Sequence, residues 1–442
     1  MNPGRVVAAL CLGVATAAWG GPAALTADQM RAFGQSAITH GFADQALNIS
    51  QALLQRDASD SAAFLMQAQA LRLKDDLTGS EAAARRAWAT ATDEPSHYLA
   101  ATALAQALSL QDHWTRAQYW LRQAVENAPN AAAQSQAVQD FAYVRGQNPV
   151  SLQFSGSVRR SDNVNGGGRV QYIQIGPFIL PLPSTLLALP GLSWALGLSG
   201  QNRLSDDGQS LTALTFGANA QGVVLSDAAR ALAPDLVNGD FLYQQVQVGL
   251  QRRSALSFGR VTADLSLTHS WYADLDLANS LTGQLTFEHP VSADLNLYLS
   301  TDLTRELRLD TFDSSSTTLS ITTGLTQTLV TGDQVDVSLD LSRVASVDIG
   351  IDRREAGLLV YWQARQPVVG LGLAANLSAR YTLYANARED THYGVGMSAT
   401  INRATFLGFA PVVSLDVAHN DSTVPWFSSD TVALGLSVKS RF

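Results

Sequence analysis

Val335-Asp336-Val337-Ser338-Leu339-Asp340-Leu341 sets Val or Leu at every odd position and an acidic or hydroxyl side chain at every even one. A period of two marks an extended strand, whose successive side chains point to opposite faces. The same alternation runs through Gln245-Val246-Gln247-Val248-Gly249-Leu250, Asp264-Leu265-Ser266-Leu267-Thr268 and Asp294-Leu295-Asn296-Leu297-Tyr298-Leu299. It begins at Asn148-Pro149 and holds to the end of the sequence. Two architectures produce it: a soluble antiparallel sheet with its apolar face inward, or a membrane barrel with its apolar face outward. Length decides between them. About fourteen stretches of roughly 10 to 14 residues can be marked near Pro149, Leu192, Leu211, Phe241, Leu256, Leu281, Asp294, Thr317, Val335, Gly357, Leu371, Tyr393, Val412 and Thr431. Soluble sandwich strands average about 5 to 6 residues, whereas tilted membrane strands need about 9 to 11. The pattern therefore predicts an antiparallel transmembrane β-barrel of about 14 strands over residues 149–442.

Counting from a periplasmic start at Pro149, every second connection should be short. Ser205-Asp206-Asp207-Gly208, Arg252-Arg253, His289-Pro290, Thr331-Gly332-Asp333 and Pro367 fall at those places. The alternate connections should be longer, with Arg160 to Gly191, Ser226 to Gly239 and Asn420 to Ser429 the longest. Asn402 to Phe409 is long for a periplasmic turn. An even strand count returns the last strand beside the first, so that no edge stays unpaired. That last strand, Val432 to Phe442, ends on an aromatic residue and resembles the signal by which barrel-insertion machinery recognises its substrates.

Upstream the period is different. From Thr26 to about Gln147 the chain is rich in Ala, Gln, Leu and Arg at helical spacing, with breaks at Asp57 to Asp60, Asp93 to Pro95 and Asn127 to Asn130. These breaks recur at about the period of a tetratricopeptide repeat. Ala105, Ala117, Ala124 and Pro129 form the clearest unit, Gly34 and Ala46 belong to an earlier one, and Ala83 and Pro95 to the middle one. Small residues suit positions where paired helices cross closely. Trp88, Trp114, Tyr119 and Trp120 are read as fillers of the seams between repeats. Residues 21–148 are thus a TPR-like α-solenoid, and such stacks usually present a binding face.

The first 20 residues read as a signal peptide, with Arg5 in the basic segment and Val6 to Ala18 apolar. Export by this leader, together with the barrel pattern, predicts the bacterial outer membrane as the location, with the repeats in the periplasm. Cys11, the only cysteine, lies inside that leader, so a mature chain has no disulfide, thiolate metal site or cysteine nucleophile. No apolar run of about 20 residues follows, which excludes a helical membrane protein. A net charge of −9 argues against nucleic acid as a partner.

Strand parity places Asp264, Asp294, Asp302, Glu306, Arg308, Asp336, Asp340, Arg380 and Asp416 on the inner, water-filled face. No cofactor or metal site is read. His269, His392 and His419 have Asp274, Asp390 and Asp421 as sequence neighbours, but neighbours alone do not make a catalytic triad, and the chain is not read as an enzyme.

Arg159-Arg160-Ser161-Asp162-Asn163-Val164-Asn165 resembles the Asn-rich segment after the first strand in the surface lipoprotein assembly modulators, the Slam family. The resemblance rests on Asp162, Asn163 and Asn165, on helical repeats joined to a barrel, and on the terminal Phe442. The apolar stretch Ile173 to Pro190, with four prolines, has no counterpart in it. The resemblance implies a translocator that delivers lipoproteins or secreted proteins to the cell surface, with the repeats holding the client or its carrier. Its partners would be outer-membrane lipid, that client and the insertion machinery. An exopolysaccharide exporter, a passive porin and an outer-membrane hydrolase stay open as other readings.

Overall fold

The computed structural model describes residues 25–175 and 178–440. The leader with Cys11 and the terminal Phe442 lie outside the described residues. Contacts divide the chain into two compact units, one running up to His113 and one from Trp114 to Phe442.

The first unit holds α1 (Ala27–Thr39), α2 (Ala43–Arg56), α3 (Ser61–Leu73), α4 (Leu77–Thr90) and α5 (Glu94–Leu110). Polar breaks in the sequence become helix caps: Thr26, Asp60, Asp76 and Asp93 accept backbone N–H groups at the starts of α1, α3, α4 and α5. Pro95 stands in the first turn of α5, where its missing N–H is harmless. Each helix packs on the next, and α1 and α5 also reach α3, which is the TPR-like stack. Close crossing explains the small residues. A Cβ on Gly34 would stand 2.2 Å from Met66 Sδ, and Ala46 and Ala83 are buried. Trp88 packs beside Phe64, Ala87 and Ala100.

The second unit opens with α6 (Trp114–Glu126) and α7 (Ala131–Gln147). The change from helix to strand falls between Gln147 and Val150, whereas the boundary between compact units falls earlier, before Trp114. Ala117, Ala124 and Trp120 are buried, but Tyr119 is half exposed and does not fill a seam.

Then come β1 (Val150–Ser161), β2 (Tyr172–Ile175), β3 (Phe178–Pro181), β4 (Gly191–Asp206), β5 (Ser210–Leu225), α8 (Asp227–Leu232), β6 (Tyr243–Leu256), β7 (Gly259–Tyr272) and β8 (Leu275–Pro290). They are followed by β9 (Leu295–Arg308), β10 (Ser316–Thr328), β11 (Gln334–Ser346), β12 (Arg353–Gln363), β13 (Leu371–Tyr384), β14 (Glu389–Ile401), β15 (Phe409–Ser422) and β16 (Ser429–Ser440). All but β2 and β3 form one closed antiparallel barrel of 14 strands, sealed where β1 pairs with both β16 and β4. Strands of 11 to 16 residues are long enough for a tilted bilayer crossing.

Side chains sort cleanly between the two faces. Leu265, Leu267, Leu303, Leu339, Leu377 and Leu415 all stand exposed on the outside, while the residues between them are polar and point inward. The outer face is free of charge along its middle, as a hydrocarbon environment demands.

Connections differ from expectation in several places, and His289-Pro290 is one: it ends β8, and the turn falls at residues 291–294. Arg252 and Arg253 lie within β6, and the turn falls at Ser257-Phe258. Arg252 stays near the end of the strand, donating to Thr212 Oγ1 at 3.1 Å, so its charge reaches the interface without a turn. Ala273-Asp274 makes a two-residue hairpin on the side expected to carry long loops, with φ of 49° and 64°. Asn420 to Ser422 belong to β15, which shortens the last loop to residues 423–428. The proline-rich stretch after Ile173 builds the separate hairpin β2–β3.

Candidate functional site

The candidate site is the barrel interior and the loops over one end of it. Strand register brings Asp264, Asp302, Glu306, Asp336 and Asp340 together on the inner wall formed by β7 to β11. Their partners are neutral. Asp336 accepts from Tyr298 at 3.0 Å and Thr326 at 2.7 Å, Asp340 from Thr322 at 3.2 Å, and Asp264 from Gln251 at 2.8 Å. Among the described residues no cation is bridged to Asp264, Asp336 or Asp340.

The neighbouring sector is balanced. Arg159 meets Asp416 at 2.9 Å across the β1–β16–β15 seam. Glu355 faces Arg353 at 2.7 Å and Arg380 at 3.9 Å, and accepts from Ser342. Arg308 sits at the outer end of β9, held by Asp310. Asp294 is a correction: it is exposed in the turn before β9 and not on the inner wall, because Ser292 Oγ accepts the N–H groups of both Asp294 and Leu295 and delays the strand.

Sequence reading missed Arg159, Arg353 and Glu355. Arg353-Arg354-Glu355 breaks the alternation, so parity there becomes readable only from its neighbours. It also missed the third sector, β1 and β4 to β6, whose only inward acid among the described residues, Asp206 at the end of β4, is paired with Arg203 at 3.3 Å. Gln153, Gln201, Asn219, Gln245 and Gln247 line a recess of about 420 Å³ there, with Gly197 and Gly217 leaving the wall bare.

Asp162, Asn163 and Asn165 tie down the first long loop. Asn163 is buried; its amide nitrogen donates to the Gly167 carbonyl at 2.8 Å and its oxygen accepts from Gly167 N at 2.8 Å. Asn165 does the same across the loop, donating to the Leu187 carbonyl at 2.8 Å and accepting from Leu189 N at 2.9 Å. Asp162 accepts from Val432 N at 2.9 Å. Beneath them Leu189, Val223, Leu225, Ala229 and Ala233 form a small apolar core with Val164, Leu236 and Phe241. The two longest loops are therefore a packed cap on this end of the barrel.

The histidines do not pair with the carboxylates nearest them in sequence. His269 faces Asp276 at 3.2 Å and Asn279 at 2.7 Å, His419 faces Asp430 at 2.6 Å, and Asp390 is held by Arg388 at 3.3 Å. Among the described residues, no group of three or more His, Cys, Asp or Glu side chains is placed to hold a metal ion.

No family model matches this chain, and no curated protein matches it in sequence. Solved structures are similar to its parts. The TPR2B domain of yeast Sti1 in complex with pHsp70 is 18% identical over 28% of this chain and 98% of its own, with a TM-score of 0.26. A loop L8 deletion mutant of OmpT, an outer membrane protein of Vibrio cholerae, is 11% identical over 66% of this chain and 99% of its own, with a TM-score of 0.36. An anion-selective porin from Comamonas acidovorans is 12% identical over 66% and 99%, with a TM-score of 0.33.

Proposed function

We propose that this chain is an outer-membrane translocator that helps deliver lipoproteins or secreted proteins to the cell surface. In this reading the TPR-like helices hold the client or its carrier in the periplasm, and the barrel offers the route. The observation that carries it is the closed 14-strand barrel, apolar outside and charged inside, in a chain that also carries a stack of helices. A barrel needs no such stack for passive diffusion. The resemblance of Asp162 to Asn165 to the Slam family points the same way. An extended client segment would engage through backbone pairing with an exposed strand outside the closed ring, such as an edge of the β2–β3 hairpin. The reading assigns no catalytic step to the chain.

Deleting residues 26–113, the part of the first compact unit that precedes α6, tests the role of the helices. Surface delivery of a co-expressed client, read by protease shaving of whole cells, should be lost while the barrel still folds and inserts. Unchanged delivery would remove the helices from the mechanism.

The amide-lined recess on β1 and β4 to β6 favours a second reading, export of a neutral polysaccharide. Its side chains are donors and acceptors without formal charge, which suits hydroxyl groups. Retention of neutral oligosaccharides by liposomes carrying the purified barrel would favour it over a protein client.

A further inference from the structure

The lipid-facing surface of the barrel is neutral along its middle, but at the end carrying the long loops it gathers three arginines on β9 to β12. Arg305 on β9, Arg343 on β11 and Arg354 on β12 face outward, in register with Leu281, Leu319 and Leu383 on adjacent strands. The outward carboxylates Glu389, Asp421 and Asp430 sit on β14 to β16, Asp276 on β8 is taken up by His269 at 3.2 Å, and one more outward arginine, Arg160, stands on β1.

Arg343 and Arg354 are direct cross-strand partners. Like charges at such a pair repel, so the arrangement costs stability unless an anion lies between or beside them. Asp352 neutralises Arg343 through two contacts, of 2.6 and 2.7 Å. It acts on Arg354 only at longer range, so that Arg354 makes no ion-pair contact among the described residues, and Arg305 donates to Thr317 Oγ1, at 3.0 Å. Directly below Arg343 and Arg354 the outer wall forms an open groove lined by Leu319, Ile321, Leu341, Ala356, Tyr381 and Leu383. Guanidinium groups favour phosphate, which they can grip with two parallel N–H donors. An apolar groove in the bilayer favours acyl chains.

We propose that β9 to β13 form a docking site for an outer-leaflet lipid whose headgroup carries phosphate, with Arg354 and Arg305 on the phosphate and the groove on an acyl chain. The proposal rests on the outer-membrane reading above, since only that orientation puts the long-loop end in the outer leaflet.

The test uses the full chain folded in detergent, titrated with bis-phosphorylated lipid A, with the same lipid stripped of phosphate, and with inorganic phosphate. Bound lipid is read by native mass spectrometry, and the heat-dependent shift of the folded barrel on gels confirms that each variant folds. Arg354→Gln combined with Arg305→Gln should weaken binding of the phosphorylated lipid by about ten-fold or more, as loss of charge-assisted contacts does. The stripped lipid should bind wild type no better than the phosphorylated lipid binds that double variant. Arg252→Gln, at the opposite end, should leave binding intact. Equal binding of the two lipids, an unaffected double variant, or displacement of the lipid by inorganic phosphate alone would overturn the site. Density-gradient fractionation of cells reports the membrane separately: a barrel found in the outer membrane that binds both lipids alike rejects the docking site and leaves the transport reading standing. A barrel found elsewhere rejects both.

Discussion

Arg122 on α6 donates from Nη1 to the carbonyl of Leu407, 285 residues further along the chain, at 2.8 Å. Its other terminal nitrogen reaches Ser440 Oγ at 3.1 Å, and its guanidinium lies 4.8 Å from the Phe409 ring and 4.9 Å from the Phe141 ring. Glu126, one turn further along α6, accepts from Leu407 N at 3.0 Å. The connection from Asn402 to Phe409 is long for its side of the barrel because it is a receptor for this helix. Burial pushes the Arg122 pKa down from its ordinary value, yet far too little to discharge it near neutrality.

Arg122→Ala should therefore destabilise the second unit by about 2 kcal/mol, the scale of a charged hydrogen bond plus a cation–π contact. Denaturant unfolding of the detergent-folded protein, followed by tryptophan fluorescence, measures it. Arg122→Lys keeps the charge but not the fork, and should recover only part of the loss. A wild-type midpoint for the alanine variant would show that α6 is not fastened to the barrel through this residue.

The loop cap yields to a smaller change. Asn163 makes its paired contacts with Gly167 in a buried setting, so Asn163→Ala strands a backbone N–H and a carbonyl at a cost of about 1–3 kcal/mol. Gly167→Ala should be at least as damaging, because a Cβ there would sit 2.1 Å from the Leu187 carbonyl oxygen, which is backbone and cannot swing away. Both variants should open residues 169–188 to protease in intact cells while the barrel stays folded. Protection equal to wild type in either would remove the tether from the loop.

Much of this architecture was legible because it repeats. Each strand is long enough for parity to average out single exceptions, so the fourteen strand positions, the closure and the alternation emerge from residues such as Val335 to Leu341. Single events were not legible. That Arg252-Arg253 sits in a strand and Ser257-Phe258 makes the turn depends on register with β5 and β7, which local composition does not encode. The Asp162 to Asn165 segment stood out by composition, but its role as a clasp requires Gly167, Leu187 and Leu189, up to 24 residues from their partners, to be folded back onto it. The seating of α6 on the barrel depends on Leu407, and nothing near Arg122 in sequence announces it.

The inner wall makes an electrical prediction. Asp302, Asp336 and Asp340 share one side of the lumen without a cation bridged to any of them among the described residues, whereas Asp416 and Glu355 are paired with arginines. A conducting barrel should therefore prefer cations, and Asp302→Asn, Asp336→Asn and Asp340→Asn together should reduce that preference. Reversal potentials in planar bilayers under a salt gradient measure it. The effect should shrink at high salt, since about 1 M screens charges beyond about 3 Å. An unchanged reversal potential in the triple variant would place the selectivity elsewhere.

The helices should respond to acid in a defined direction. Hydrogen bonds from Ser59, at 2.6 Å from its hydroxyl and 2.9 Å from its N–H, hold the Asp57 carboxyl below the ordinary value of 3.8, and bonds from Ser96 do the same for Asp93 at the start of α5. A carboxylate bound more tightly in the folded chain than in the unfolded one contributes its full stability above the unfolded pKa. That contribution fades as pH falls through the lowered folded value. Thermal melts followed by helical circular dichroism should thus hold steady from neutrality to about pH 5 and decline below about pH 4. Asp57→Asn with Asp93→Asn keeps side chains able to accept the same bonds but removes the titration, so the decline should flatten. If the double variant loses stability with acid as steeply as wild type, the acid sensitivity belongs to other carboxylates and these two are electrostatically silent.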